Sequence, residues 1–252
     1  MADVVSMAVG LSQTVPMYWQ DSYLSSHSSR VVRAVHDEKR YWYVVLDATI
    51  FHPKGGGQPS DRGLLEGQSF KMEVRKAMLA GKGVIVHWGK ITEGTPHQGP
   101  VGAKIDWEWR FLMMRRHSAA HLLDHSLEQV IGATAEALDS WLGDPCYVAY
   151  GGQPPSDEQL REIEMAENRT ISRGATVTAR EVGAEELKRE ITVSLDLGRL
   201  PNPERVRLVT IEGCRPIACG GTHLRNVSEA KGIRLGKIET VAEGFQLHYD
   251  VV

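Results

Sequence analysis

Residues 107–132 read WEWRFLMMRRHSAAHLLDHSLEQVIG, and the change of period they bring decides the fold. Phe111, Met114, Ala119, Leu122, Leu123, Leu127 and Val130 recur at mostly helical spacing, and Gly132 follows where such a helix would stop. Upstream, from about residue 30 to 105, the pattern is one of strands and turns. VVRAVHD and YWYVVLDATIF are rich in β-branched and aromatic residues and lead into the turn-rich HPKGGGQPSDRG, while KMEVRKAMLA and VIVHWG flank Gly-Lys-Gly as a hairpin would. Several short strands with Gly-rich connections and no helix predict a small β-barrel or sandwich. Downstream, a strand around CYVAY precedes Ser156 and Gln159, a capping-box pair that opens a second helix running to about Ser172, with Gly174 just beyond. Strand-like TVTAREV, a short helical AEELKRE, and strands at RVRLVTIEG, GIRLGKIETV and FQLHYDVV complete the chain, the last two joined by Ala-Glu-Gly. Strands and helices do not alternate strictly, so an antiparallel α+β sandwich is expected rather than a doubly wound parallel sheet. The reading is therefore α+β, with a small β-barrel domain over residues 1–105 and an α+β sandwich over residues 106–252.

Composition narrows the class of function. The 252 residues are 42% hydrophobic and 24% charged, the balance of a globular protein with room for one large or two modest cores. A formal net charge of −3 gives no global pull toward nucleic acid, so DNA is not an expected partner and any RNA contact must use a local basic patch. Three cysteines, Cys146, Cys214 and Cys219, are too few and too irregular for a disulfide framework, which fits a reducing compartment. The opening MADVVSMAVGLSQTVPM carries Asp3 and no basic flank, unlike a secretory signal, and no run approaches the ~18 apolar residues of a membrane span. A cytoplasmic protein without a membrane partner is expected.

Two matched pairs carry the chemistry: His117/His121 in HSAAH and Cys219/His223 in CGGTH. A helix puts side chains at i and i+4 on one face, so HSAAH can grip one ion, and CGGTH adds a thiolate and another imidazole. Three nitrogens and one sulfur suit tetrahedral zinc. The helix also holds His125. Two turns separate it from His117, about 12 Å at ~1.5 Å per residue, so one ion cannot take both, and geometry permits either 117/121 or 121/125.

Around these pairs lie three further features. GGGQPSD (Gly55, Gly56, Gly57, Gln58, Pro59, Ser60, Asp61) lacks the Lys-Ser/Thr ending of a phosphate-binding loop and does not open a helix, so its expected use is a close backbone approach to a ligand held over the metal site. Gly220 and Gly221 between the second pair of ligands likewise permit positive φ and close approach of backbone N–H groups. Arg115 and Arg116 just before His117, and Arg225 just after His223, place cations beside the proposed ligands, as a polyanion with its reactive end at the metal would require.

Taken in order, GGGQPSD, HSAAH and ACGGTH make the chain resemble the alanyl-tRNA editing proteins, often called AlaX, stand-alone relatives of the editing domain of alanyl-tRNA synthetase. The resemblance covers about residues 20–250, and the Gly-rich β domain is similar to that of the medium-length subgroup. It implies a zinc-dependent editing core that hydrolyses the ester joining a wrong amino acid, mainly serine and in some members glycine, to the terminal adenosine of tRNA(Ala). It selects His117 and His121, with Cys219 and His223, as the ligands, leaving His125 packed or in support. Zinc so held would activate a water or position the substrate. Gly220, Gly221 and Thr222 are placed to steady an oxyanion, and Ser140, in ALDSWLGDPCY, is the nearest match to the family's contact for the serine hydroxyl. With no room in these residues for an aminoacylation domain, ATP-dependent charging is not expected. Two other readings share the ligand pattern: threonyl-tRNA-type editing of serine, and a non-catalytic zinc staple in an RNA-binding module.

Overall fold

The computed structural model describes residues 4–132, 137–190 and 206–252. Asp3, and Arg205 at the head of RVRLVTIEG, lie outside the described residues. Two compact units emerge, one of Met1–Gly55 with Pro59–Arg110, the other of Gly56–Gln58 with Phe111–Val252.

The first unit is a closed barrel of six strands: β1 Ser26–His36, β2 Tyr41–Leu46, β3 Gly63–Gly67, β4 Phe70–Ala80, β5 Val84–Gly94 and β6 Gly99–Ile105. They close in the order β1-β2-β5-β4-β3-β6, each neighbouring pair antiparallel. Alternation drives the closure. Phe70, Met72 and Val74 of β4 face the core while Lys71, Glu73 and Arg75 are exposed, and the inward set packs with Val31, Val44, Leu46, Phe51 and Leu65. The Gly-Lys-Gly hairpin forms as predicted, with Lys82 and Gly83 at φ 59° and 73°.

This core also buries polar groups, and two sets of them are matched in full. Arg110 and Asp61 are both fully buried; Nε donates to both carboxylate oxygens at 3.0 and 3.1 Å, while Nη1 and Nη2 donate to the Ser22 and Ile50 carbonyls at 2.9 and 2.6 Å. His87 donates from Nδ1 to the Val44 carbonyl at 3.1 Å and accepts the Thr49 hydroxyl at Nε2, 2.8 Å away. Burial pushes its pKa down to about 4, so this imidazole is neutral.

The second unit takes in α1 Trp107–Ile131 from Phe111 onward, then β7 Ala137–Trp141, β8 Tyr147–Gly151, α2 Asp157–Arg173, β9 Val177–Val182, α3 Ala184–Glu190, β10 Val206–Ile211, β11 Ile217–Ala218, β12 Ile233–Val241 and β13 Gly244–Val251. One antiparallel sheet runs β12-β13-β8-β7 and another β9-β10-β11. Helix ends follow the sequence signals: Gly132 has φ +70°, both capping-box bonds of Ser156 and Gln159 are present, and Gly174 closes α2 at φ +75°. Specific bonds tie helices to sheet. Tyr249 donates to the Arg116 carbonyl at 2.9 Å, and Asn168 exchanges two bonds with the Ile233 backbone at 2.9 and 3.0 Å. The predicted α+β architecture, a small barrel followed by an antiparallel α+β core, is the one the chain adopts. Among the described residues no helix is long and apolar enough to cross a membrane.

Candidate metal centre

One turn of α1 brings His117 and His121 to a ring-centroid separation of 5.0 Å, and His223 lies 4.3 and 4.9 Å from them. Cys219 Sγ stands 3.3 Å from His117 Nε2 and 3.2 Å from His223 Nε2, and the four candidate ligand atoms all lie within 4.8 Å of one another. A zinc tetrahedron with bonds of about 2.0–2.3 Å has edges of roughly 3.3–3.8 Å, so the sulfur–nitrogen spacings already match it.

The loop after β11 that carries CGGTH is held from beneath. Buried Arg207 on β10 donates to the carbonyls of Cys219 and Gly221 at 3.1 and 2.8 Å, and its own carbonyl accepts the Cys219 amide at 2.9 Å. Gly221 must be glycine because a Cβ there would run into the His117 ring and crowd Gln58 Oε1.

Two of the three imidazoles have a hydrogen-bonded outer partner. Gln58, fully buried, accepts at Oε1 from the Thr222 amide at 3.0 Å and donates from Nε2 to Thr222 Oγ1 at 2.9 Å. These two bonds fix which end of the amide is oxygen, so His117 Nδ1, 2.9 Å from Oε1, carries the proton and Nε2 is left for a metal. His223 Nδ1 lies 3.4 Å from Ser118 Oγ, which is steadied by the Leu224 amide at 3.1 Å. The ring nitrogens of His121 are buried and neither is hydrogen-bonded; Nδ1 lies 3.8 Å from Asp124 Oδ2, and the other oxygen of Asp124 accepts the Tyr150 hydroxyl at 2.7 Å. An imidazole buried without a bonded partner is what a ligand site leaves.

Electrostatics favour the ligand forms of Cys219 and His223 and, until a metal displaces the proton, the protonated form of His121. Burial disfavours a charged sulfur, but His117 and His223 outweigh it and hold the Cys219 thiol well below its usual range. Burial and the neighbouring His117 push His223 down to about 3, whereas Asp124 and Cys219 overcome burial at His121 and raise it to about 10.

The other predicted residues distribute as follows. Gly56, Gly57 and Gln58 belong to this unit, whereas Gly55 and Asp61 belong to the barrel, where Asp61 is the partner of Arg110. Ser140 sits on β7 directly against Gly57, whose φ is +76° and whose Cβ position Ser140 would occupy. The Gly57 carbonyl accepts the Leu142 amide at 3.0 Å. Gly221 and Thr222 direct their amides to Cys219 Sγ and Gln58 Oε1, so both N–H groups serve the ligand cluster itself; Gly220 is exposed. Arg116 is buried between Asp144 and Asp250 at 2.8 and 2.9 Å and donates to the Leu142 carbonyl, and Arg115 donates to the carbonyls of Ala230 and Val252. Arg225 is exposed. His125 pairs with Gln129 at 3.0 Å, outside the cluster.

Comparison with known proteins gives this chain a family. Residues 20–109 match the class II (A) tRNA synthetases, and residues 206–247, which include the CGGTH half-site, match the threonyl and alanyl tRNA synthetase second additional domain. The alanyl-tRNA editing protein AlaX-M of Methanosarcina acetivorans is 34% identical over 236 residues, which cover 90% of this chain and 94% of that one. The chain belongs to the alanyl-tRNA editing protein family. Family resemblance extends to AlaX-L of Pyrococcus horikoshii, 31% identical over 220 residues, 87% of this chain and 53% of that protein. It extends also to the alanine–tRNA ligase of Pyrobaculum neutrophilum, 33% identical over 245 residues, 93% of this chain. The chain spans 26% of that ligase and a similar share of the other ligases it matches.

Gln58, Ser118, Asp124, Tyr150 and Arg207 surround the four-residue cluster. Ser118 and Asp124 lie within RRHSAAHLLDHSL, one and three residues from a ligand, and could have been marked from helical spacing. Tyr150 and Arg207 gave no local signal, since their roles depend on which strands lie beside α1 and the CGGTH loop.

Proposed function

We propose that this chain hydrolyses the ester joining a wrong amino acid, serine and also glycine, to the terminal adenosine of tRNA(Ala), with one zinc ion held by His117, His121, Cys219 and His223. The observation that carries the reading is the converging three-imidazole, one-thiol cluster in a chain of the editing family. Bound zinc supplies Lewis acidity at the aminoacyl ester. The chain's own residues do the rest. Gln58 keeps the proton of His117 on Nδ1, and Asp124, anchored by Tyr150, sets a carboxylate 3.8 Å from His121 Nδ1. Ser140, seated on Gly57, offers a hydroxyl that can bond to the serine side chain and thereby reject alanine, which has none. The two half-sites stand about a hundred residues apart, one on a helix and one in a loop, unlike the short paired spacings of a structural zinc staple. Three thiols in no disulfide agree with a cytoplasmic setting.

The test is time-resolved deacylation of Ser-tRNA(Ala), Gly-tRNA(Ala) and Ala-tRNA(Ala) by the zinc-loaded protein and by His117→Ala. Fast release of serine that needs His117 and spares alanine is the expected result. Release from Ser-tRNA(Thr) instead, or no release from a folded, zinc-bound protein, would replace this reading by threonyl-type editing or by a structural zinc.

A further inference from the structure

The barrel carries a feature that its packing does not require. Along β4, alternation is broken by a register slip against β5 between Val74 and Lys76, so that two consecutive residues, Arg75 and Lys76, are both exposed. The two cations flank a pair of rings. Arg75 lies 5.3 Å over Tyr41 and donates to its hydroxyl at 2.7 Å, Tyr41 stacks on Trp88 at 4.6 Å and 15°, and Lys76 Nζ lies 5.6 Å from the Trp88 ring. Beside this stack runs a groove of about 570 Å³ bordered by Arg62, Leu64, Glu73, Arg75 and Lys104.

Several cations on this face are not in ion pairs. Arg62 is paired with Asp106 at 2.8 Å and lies over Trp109, and Lys90 stands opposite Glu73 in the β4–β5 register. Asp37 accepts from the Trp88 indole at 3.0 Å. That leaves Arg75, Lys76 and Lys104, and among the described residues no carboxylate lies within ion-pair distance of any of them. Glu73 borders the groove with Arg75 and Lys104, and Asp37 and Glu38 border the ring stack with Lys76, yet none of these carboxylates is paired with the three cations, which remain available to an anion. Two of them are held in place by rings and a hydrogen bond, so little side-chain freedom remains to be lost on binding an anion.

We propose that this face of the barrel, centred on Arg75, Lys76 and Lys104, binds the phosphate backbone of the tRNA. The inference rests on the editing reading for the identity of the RNA. Cations interleaved with aromatic rings in an open groove suit a nucleic-acid backbone, whose charge they neutralise and against whose exposed bases a guanidinium plane can stack.

The experiment is equilibrium binding of uncharged tRNA(Ala) over a range of salt concentrations to the wild-type protein, R75E/K76E, K104E and, as a control with the same charge change as K104E, K82E in the Gly81–Gly83 turn. R75E/K76E is expected to weaken binding at least tenfold and to lower the slope of log K against log salt by about 2, one for each lost phosphate contact. K104E, which disturbs no part of the ring stack, lowers it by about 1. K82E leaves both unchanged, as do zinc content and melting temperature in all variants. Binding by R75E/K76E and K104E within twofold of wild type, with an unaltered salt slope, would overturn the proposal. The two readings fail separately: a protein that binds tRNA through this face but releases no serine keeps the surface and loses the hydrolase.

Discussion

The barrel and the second unit both bury histidine among polar groups, and they finish it differently. His87 has both ring nitrogens satisfied, by a carbonyl and a hydroxyl, in a core where Arg110 and Asp61 likewise match each other and the surrounding carbonyls. The ring nitrogens of His121 are also buried, yet neither is bonded, and a thiol and two more imidazoles converge on the same point. A buried polar group that is fully paired is part of the packing; one left unpaired beside others of its kind marks a place for a ligand. The contrast separates structural from chemical histidines without reference to either residue's position in the chain.

Four changes bear on that contrast. The largest effect belongs to the cluster: Cys219→Ala should abolish tight zinc binding, measured as metal per chain, and cut serine release by about a thousandfold or more, as loss of a first ligand removes the Lewis acid. In the barrel, Asp61→Ala should leave Arg110 charged and unpaired and cost about 3–5 kcal/mol in urea unfolding, with zinc retained. If Asp61→Ala instead spared stability and emptied the zinc site, the division between the two regions would fail.

His87 makes a pH prediction. Its folded pKa, near 4, lies below the ordinary 6.5, so the unfolded chain takes up a proton that the folded one refuses. The stability it confers is whole above pH 6.5 and is lost as pH falls toward 4, by roughly 3 kcal/mol. His87→Gln should flatten that acid limb in denaturant titrations run at pH 7.5, 6 and 5; an unchanged limb would show that His87 is not the group responsible. Smallest of the four, Gln58→Leu should weaken zinc 10–100-fold in competition with a chromophoric chelator while the protein stays folded, because His117 loses the acceptor that sets its tautomer.

Much of the fold could be read before any coordinates. Strands with inward β-branched residues, the Gly-Lys-Gly hairpin, the Ser156/Gln159 box and Gly174 each carry a local cause that the structure reproduces. Strand β7 did not announce itself: ALDSW has no alternation and is mostly exposed, and only its pairing with β8 makes it a strand. The site divides in the same way. The i,i+4 histidines and CGGTH were visible as ligand chemistry, but helical spacing alone left His121 free to pair with His117 or His125, and the choice became structural only once His125 was seen bonded to Gln129. Arg116 immediately precedes His117 in sequence, yet consecutive helical residues point about 100° apart, and Arg116 turns to Asp144 and Asp250. Gln58 and His117, fifty-nine residues apart, meet only because Gly56–Gln58 folds with the second unit.

The central claim is that His117, His121, Cys219 and His223 together hold one metal ion, and cobalt is its most direct probe. Titrating the metal-free protein with Co2+ should saturate at one equivalent, with the visible bands of a tetrahedral ion and a thiolate-to-cobalt charge-transfer band that disappears in Cys219→Ser. Binding that leaves the charge-transfer band intact in Cys219→Ser, or a spectrum without thiolate ligation in the wild-type protein, would contradict it.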